Sequence, residues 1–67
     1  MTSIDARGLS CPQPVLLTKK ALEKDGAPLK VLVDDRTPLQ NILRFAGNSG
    51  YRVSFTENSG IFEITVE

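Results

Sequence analysis

The sequence of 67 residues contains no histidine and only one cysteine, Cys11, and both scarcities exclude particular kinds of chemistry. A single cysteine forms no disulfide within the chain and runs no redox cycle that needs a second, resolving thiol. Without histidine there is neither a Cys-His catalytic pair nor a usual zinc site, so we expect no bound metal.

Charge and hydrophobicity limit the functions further. Eight basic and eight acidic residues give a formal net charge of zero, so direct binding of nucleic acid lacks its main source of affinity. No apolar run approaches membrane-spanning length, and Met1-Thr2-Ser3 lacks the features of a signal peptide, so we expect a cytoplasmic protein. Residues 1–67 are expected to form one small domain, near the lower size limit for a stable core, as a monomer or weak homodimer.

The cysteine directly precedes two prolines, in the order Cys11-Pro12-Gln13-Pro14. Proline fits the first turn of a helix, where backbone amides have no intrahelical partner, so Pro12 is predicted at the first helical position and Pro14 at the third. Cys11 then becomes the N-cap residue, with its sulfur near the Gln13 amide and the positive end of the helix dipole. That position lowers the pKa of a thiol and makes it nucleophilic, whereas the alternative is a cysteine with a structural role only.

The rest of the chain alternates between strand and helix patterns. The predicted strands are Ser3–Ala6, Leu29–Val33, Tyr51–Thr56 and Phe62–Glu67, and the predicted helices run from Pro12 to about Asp25 and from Pro38 to about Ser49. Thr37 is the predicted N-cap of the second helix, in a capping box with Gln40, and Gly50 is its predicted left-handed C-cap. A tight turn at residues 58–60 joins the last two strands into a hairpin.

Helical periodicity also predicts which residues of each helix face the core. The core-facing residues are predicted to be Pro14, Val15, Leu17, Thr18, Ala21 and Leu22 in the first helix and Leu39, Ile42, Leu43 and Ala46, flanked by Phe45, in the second. Leu16 is the exception, since it projects from the charged arc of the first helix.

The order βαβαββ predicts a two-layer α/β (α+β) sandwich with a mixed four-stranded sheet. Right-handed crossovers place both helices on one face of the sheet and leave the other face open. The carboxyl ends of the first two strands then lie on one edge, so Cys11 and the segment Asp34–Thr37 are expected to be neighbours. Asp34 and Asp35 are either a partner-contact patch or a solvated strand end, and the sequence favours neither.

These residues resemble the TusA family of small sulfur carriers, also called the SirA-like family, over nearly the whole chain. The matching signature is Asp5, Gly8 and Leu9 leading to Cys11-Pro12-Gln13-Pro14, then the basic pair Lys19-Lys20 and the acidic strand end Asp34-Asp35. The resemblance implies the βαβαββ sandwich. It also implies that Cys11 takes sulfane sulfur from a cysteine desulfurase as a persulfide and passes it to an acceptor protein, as in tRNA thiolation.

Arg44-Phe45-Ala46 with Gly50 looks more like the YedF-type branch of the family, which is linked to selenium metabolism. A second cysteine, often found after the phenylalanine in TusA proper, is absent here. Because YedF-type proteins often continue into a second domain, the chain is either a stand-alone relative or a domain of a larger protein.

Thiolate exchange needs no general base, metal or organic cofactor, so the leading hypothesis is a sulfurtransferase-like carrier, not a stand-alone turnover enzyme. Its expected partners are a desulfurase-type donor and a protein acceptor. The main rival is a non-catalytic interaction or regulatory module in which Cys11 only caps a helix, and a peroxide-sensing thiol is a third class. Leu16, rimmed by Lys19 and Lys20, is a candidate partner contact.

Overall fold

The computed structural model describes residues 2–9 and 13–67. Within them the element order is βαβαββ, as the sequence predicts. The elements are β1 Thr2–Asp5, α1 Gln13–Lys24, β2 Leu29–Val33, α2 Arg36–Asn48, β3 Val53–Asn58 and β4 Ile61–Val66.

The four strands form one mixed sheet in the order β1-β2-β4-β3. β1 pairs with β2 in parallel, and β4 is antiparallel to both β2 and β3. Val31 lies at the centre, opposite Ile4 on β1 and Ile64 on β4. β2 is therefore an inner strand, in agreement with its mostly aliphatic sequence.

One face of the sheet carries the core, because both helices pack on it. Inward residues alternate along β2 and β4 and are almost fully buried, and the helices add apolar residues to the same cluster, which comprises Ala6, Leu22, Leu29, Val31, Val33, Leu39, Ile42, Ala46, Phe62, Ile64 and Val66. On the opposite face Lys30 and Glu63 form an ion pair of 3.6 Å between partly exposed side chains. The predicted two-layer sandwich with one open sheet face is confirmed.

α1 contacts the core along a narrow stripe of three buried residues spaced four apart, Pro14, Thr18 and Leu22. The Thr18 hydroxyl is satisfied within the helix, since it donates to the Pro14 carbonyl at 2.8 Å. The prediction that Leu17 faces the core is wrong, because this side chain is 36% exposed. Leu17 lies next to this buried stripe and not within it, so the helix face that contacts the core is narrower than periodicity predicts.

The N-cap of α2 is Asp35, not Thr37, so the predicted capping box does not form. The Asp35 carboxylate accepts a hydrogen bond from the Thr37 amide at 3.3 Å, and the Asp35 carbonyl accepts the first helical bond, from the Leu39 amide. Aspartate caps a helix at least as well as threonine, and Pro38 is still tolerated because it falls within the first turn. The helix therefore begins two residues earlier than predicted.

α2 ends at the left-handed glycine that the sequence predicts. Gly50 has φ +89°, and its amide bonds to the Gly47 carbonyl while the Tyr51 amide bonds to the Ala46 carbonyl, which together form a Schellman motif. Because the Tyr51 amide is used in this cap, β3 begins at Val53 and not at Tyr51 as predicted. The closing hairpin turns at Ser59 and Gly60, both with positive φ.

Candidate functional site

The loop after β1 is shaped by one carboxylate. Asp5 accepts three hydrogen bonds from Arg7: from the backbone amide at 3.2 Å, from Nε at 2.8 Å and from Nη2 at 2.7 Å. The Arg7 side-chain hydrogen bonds, helped by its backbone amide, lower the pKa of the Asp5 carboxyl to about 2. Hydrogen bonding to Asp5 in turn raises the pKa of Arg7. Asp5, part of the family signature, thus folds the chain back just before the cysteine segment.

A second carboxylate ties this loop to the end of β2. Asp34 Oδ1 accepts a hydrogen bond from the Gly8 amide at 3.2 Å, across 26 positions of sequence. Gly8 has φ +77°, a left-handed conformation that strains any residue with a side chain, although the space around its Cα is open. The signature glycine is therefore required for its backbone conformation and not to make room for a neighbour.

The expectation that Cys11 and the Asp34–Thr37 segment are neighbours stays a prediction, although Gly8, three residues before Cys11, bonds to Asp34. Cys11 and Pro12 lie outside the described residues, so the N-cap position of the sulfur and the proline at the first helical position stay predictions. α1 begins at Gln13, and Pro14 is buried in its first turn. The positions of Gln13 and Pro14 agree with the helix start predicted from the two prolines.

Asp34 and Asp35 have separate structural roles that were not predicted from the sequence. Asp34 holds Gly8, and Asp35 caps α2, so both carboxylates accept a hydrogen bond from a backbone amide. The Asp5–Arg7 pair was not predicted from the sequence either. Its signal was an aspartate two residues before an arginine at the end of a short strand, a spacing typical of an Asx turn.

Beside this loop, the outer flank of α1 exposes leucines. Leu16 is 47% exposed, which confirms its predicted position, and Leu9 in the loop is 37% exposed. A shallow depression of about 200 Å³ is lined by Gln13, Leu16, Leu17 and Lys20. We call these four residues the Leu16 patch. It is an apolar surface with a basic edge, on the helix that follows the cysteine segment.

The two lysines of the basic pair, Lys19 and Lys20, lie on different surfaces of α1. Successive helical residues point about 100° apart, so neighbouring side chains on α1 face different ways. Lys20 belongs to the Leu16 patch, whereas Lys19 lines a groove between α1 and α2. The prediction that both lysines rim Leu16 therefore holds most directly for Lys20, and a partner contact by either lysine stays a prediction.

Neither α1 nor α2 is long and apolar enough to cross a membrane. Residues 2–9 and 13–67 contain no group of three or more metal-ligating side chains placed to hold an ion.

Comparison with known proteins identifies relatives across the whole described fold. The model of the family described as sulfurtransferase TusA matches residues 2–67. The chain is 48% identical over 61 residues, 88% of this chain and 81% of the relative, to a protein of Methanocaldococcus jannaschii provisionally named a sulfur carrier. It also superposes on the crystal structure of a SirA-like protein from Desulfitobacterium hafniense with a TM-score of 0.91 and 37% identity, covering 98% of this chain and 95% of that one.

Proposed function

The chain belongs to the TusA family of sulfurtransferases, and from this we propose that Cys11 carries sulfane sulfur as a persulfide between two partner proteins. The observation that carries the proposal is the family match over residues 2–67 in a chain whose only thiol is Cys11. A chain with one thiol has no other side chain on which a persulfide forms.

The reaction is a pair of thiolate exchanges. The Cys11 thiolate attacks the outer sulfur of a persulfide on the donor, a new S–S bond forms, and the donor cysteine leaves as a thiolate while the proton stays on the transferred sulfur. An acceptor thiolate then attacks that same outer sulfur and releases the Cys11 thiolate. The sulfane sulfur keeps its oxidation state throughout, so neither an oxidant nor a reductant is consumed.

The residues before the cysteine segment support this role, because their hydrogen bonds hold the loop that leads to it. Asp5 folds the loop through Arg7, and Asp34 fixes Gly8 at the end of β2. A helix N-terminus after Cys11 favours the thiolate form, which is the attacking species. A carrier of this kind needs a thiol that is presented rather than enclosed, and it needs a reducing compartment, which for this chain we propose is the cytoplasm.

The Leu16 patch is the proposed docking surface for the donor. Protein contacts favour an apolar centre with a polar or charged rim, and the exposed Leu16 and Leu17 beside Lys20 fit that pattern. Docking there brings a partner to the helix that directly follows Cys11.

Mass spectrometry of the intact protein after incubation with a cysteine desulfurase and cysteine tests the proposal. We expect an adduct of about 32 Da, one sulfur atom, that is removed by a reducing thiol. Cys11→Ser is the control and should fold but gain no mass. An adduct that persists on Cys11→Ser assigns the sulfur elsewhere, and no adduct on the wild type favours the non-catalytic interaction module.

A further inference from the structure

A second surface feature lies on the opposite flank of α1 from the Leu16 patch. The groove between α1 and α2 has a volume of about 290 Å³ and is lined by Lys19, Leu22, Glu23, Phe45, Ser49 and Tyr51. We call it the interhelical groove. Its residues come from the second half of α1, the end of α2 and the position directly after the α2 cap.

The floor of the groove is apolar, and its side chains belong to the core cluster or pack against it. Leu22 is 7% exposed and belongs to the core cluster, while Phe45 and Tyr51 are partly buried and pack against that cluster. Both rings are therefore restrained on one side and open to solvent on the other. Restrained aromatic rings of this kind bind small apolar groups at low cost in side-chain entropy.

The rim carries both signs of charge. Lys19 and Glu23 lie one helical turn apart on α1, and among the described residues neither forms an ion pair. A lysine four residues before a glutamate is the weaker orientation for pairing within a helix, so the two charges remain available to a ligand. Ser49, the residue that follows α2, adds a hydroxyl to the rim.

We propose that the interhelical groove binds a free amino acid with an apolar, preferably aromatic, side chain. Its carboxylate would pair with Lys19, its ammonium group with Glu23, and its side chain would lie on Leu22, Phe45 and Tyr51. The groove is near the lower limit of size for ligand sites, which suits a single small molecule. This site does not depend on the proposed sulfur transfer, since it uses no residue of the loop or the Leu16 patch and shares only Lys19 with the predicted partner contacts.

Titration of the full chain with L-phenylalanine, followed through its backbone amide NMR signals, tests the site. A shallow groove binds one small molecule in the millimolar range, so the titration extends to about 20 mM. We expect saturable shifts confined to the groove residues. Phenylalanine amide lacks the carboxylate and 3-phenylpropionate lacks the ammonium group, and both should bind more weakly. Equal binding of all three compounds, or no saturable shift, overturns the proposal.

Charge variants on the exposed face of α1 distinguish the loss of a ligand contact from a general effect on the helix. Lys19→Gln and Glu23→Gln should each raise the dissociation constant about fivefold, the effect of losing one exposed charge pair. Lys24→Gln is the matched control, because Lys24 is exposed on the same helix but does not line the groove. Equal weakening by Lys24→Gln, or none by the two groove variants, contradicts the assigned contacts. Melting temperatures close to wild type verify that all three variants fold.

Discussion

The Asp34 carboxylate accepts a hydrogen bond from the Gly8 amide at 3.2 Å, and this contact joins the loop after β1 to the end of β2. We expect Asp34→Ala to lower the free energy of unfolding by about 1 kcal/mol, because it removes an exposed hydrogen bond to backbone. Faster hydrogen exchange at the Gly8 amide is the direct measurement.

Asp34→Asn is the matched control for this contact, since its side-chain oxygen still accepts from the Gly8 amide. Protection of that amide should be largely kept in the Asn variant and lost in the Ala variant. Equal exchange rates in all three proteins would show that the hydrogen bond does not order the loop.

The cap of α2 gives a second prediction, which distinguishes the observed N-cap from the one predicted by sequence. Asp35→Ala should cost about 1 kcal/mol of stability, as loss of an N-cap side chain typically does. Thr37→Ala should change it by less than about 0.5 kcal/mol, because Thr37 is exposed and contributes only its backbone amide to the cap. Chemical denaturation measures both. A larger loss of stability for Thr37→Ala than for Asp35→Ala would mean that Thr37 is the N-cap and that the capping box forms.

Acid titration tests the Asp5–Arg7 pair. The folded-state pKa of Asp5, about 2, lies below the ordinary value of 3.8 because Arg7 donates to the ionised carboxylate. The stabilising contribution is therefore complete above about pH 4 and is lost as the pH falls toward about 2. We expect an NMR titration of the Asp5 carboxyl to have its midpoint near that lowered value.

Arg7→Gln removes the charged donors from Asp5 and is the control for this titration. The midpoint of its Asp5 carboxyl should move up toward the ordinary aspartate value of 3.8. An unchanged midpoint would mean that the backbone amide alone lowers the Asp5 pKa, and an unshifted midpoint in the wild type would mean that the ion pair does not persist in solution.

The docking role of the Leu16 patch is tested by the rate of sulfur uptake at subsaturating donor. Leu16→Ala should slow uptake about fivefold, the effect of losing one apolar anchor from an interface. It should change stability by less than about 0.5 kcal/mol, because the side chain is exposed. Stopped samples read by mass spectrometry give the rate of loading.

Phe55→Ala is the matched control, because Phe55 is 45% exposed against 47% for Leu16 but lies on the edge strand β3. Its ring contacts Phe62 edge to face at 6.0 Å, so this variant should lose some stability and keep the wild-type rate of loading. Wild-type loading by Leu16→Ala removes Leu16 from the docking surface. A melting temperature several degrees lower for that variant would place Leu16 in the core.

Periodicity and turn chemistry predicted most of the fold. β2 matches its predicted bounds, and the last two strands form the predicted hairpin. The errors occur where two local signals compete: Asp35 and Thr37 are both good caps, and the Tyr51 amide serves the helix end before the strand can use it. In each case the choice depends on hydrogen bonds that residue type alone does not decide.

The candidate site was less predictable, because its contacts depend on the tertiary arrangement. The family signature includes Asp5 and Gly8, but it does not predict their contacts. Asp5 accepts hydrogen bonds from Arg7, and the Gly8 amide donates to Asp34. The second contact spans 26 positions and exists only once β1 and β2 are paired. Leu17 was wrongly assigned to the core because periodicity gives its direction on the helix, but not how wide the buried face of the helix is.

The position of β4 has a consequence for how the protein is made. This strand is the last along the chain, yet it lies between β2 and β3 at the centre of the sheet. Until residues 61–66 have left the ribosome, the inner edge of β2 has no partner and β3 has no sheet to join. Folding of this sheet therefore completes only after β4 has been synthesised. The pairing of Val31 with Ile64, far apart in sequence, makes it slower than that of a helical protein of the same size.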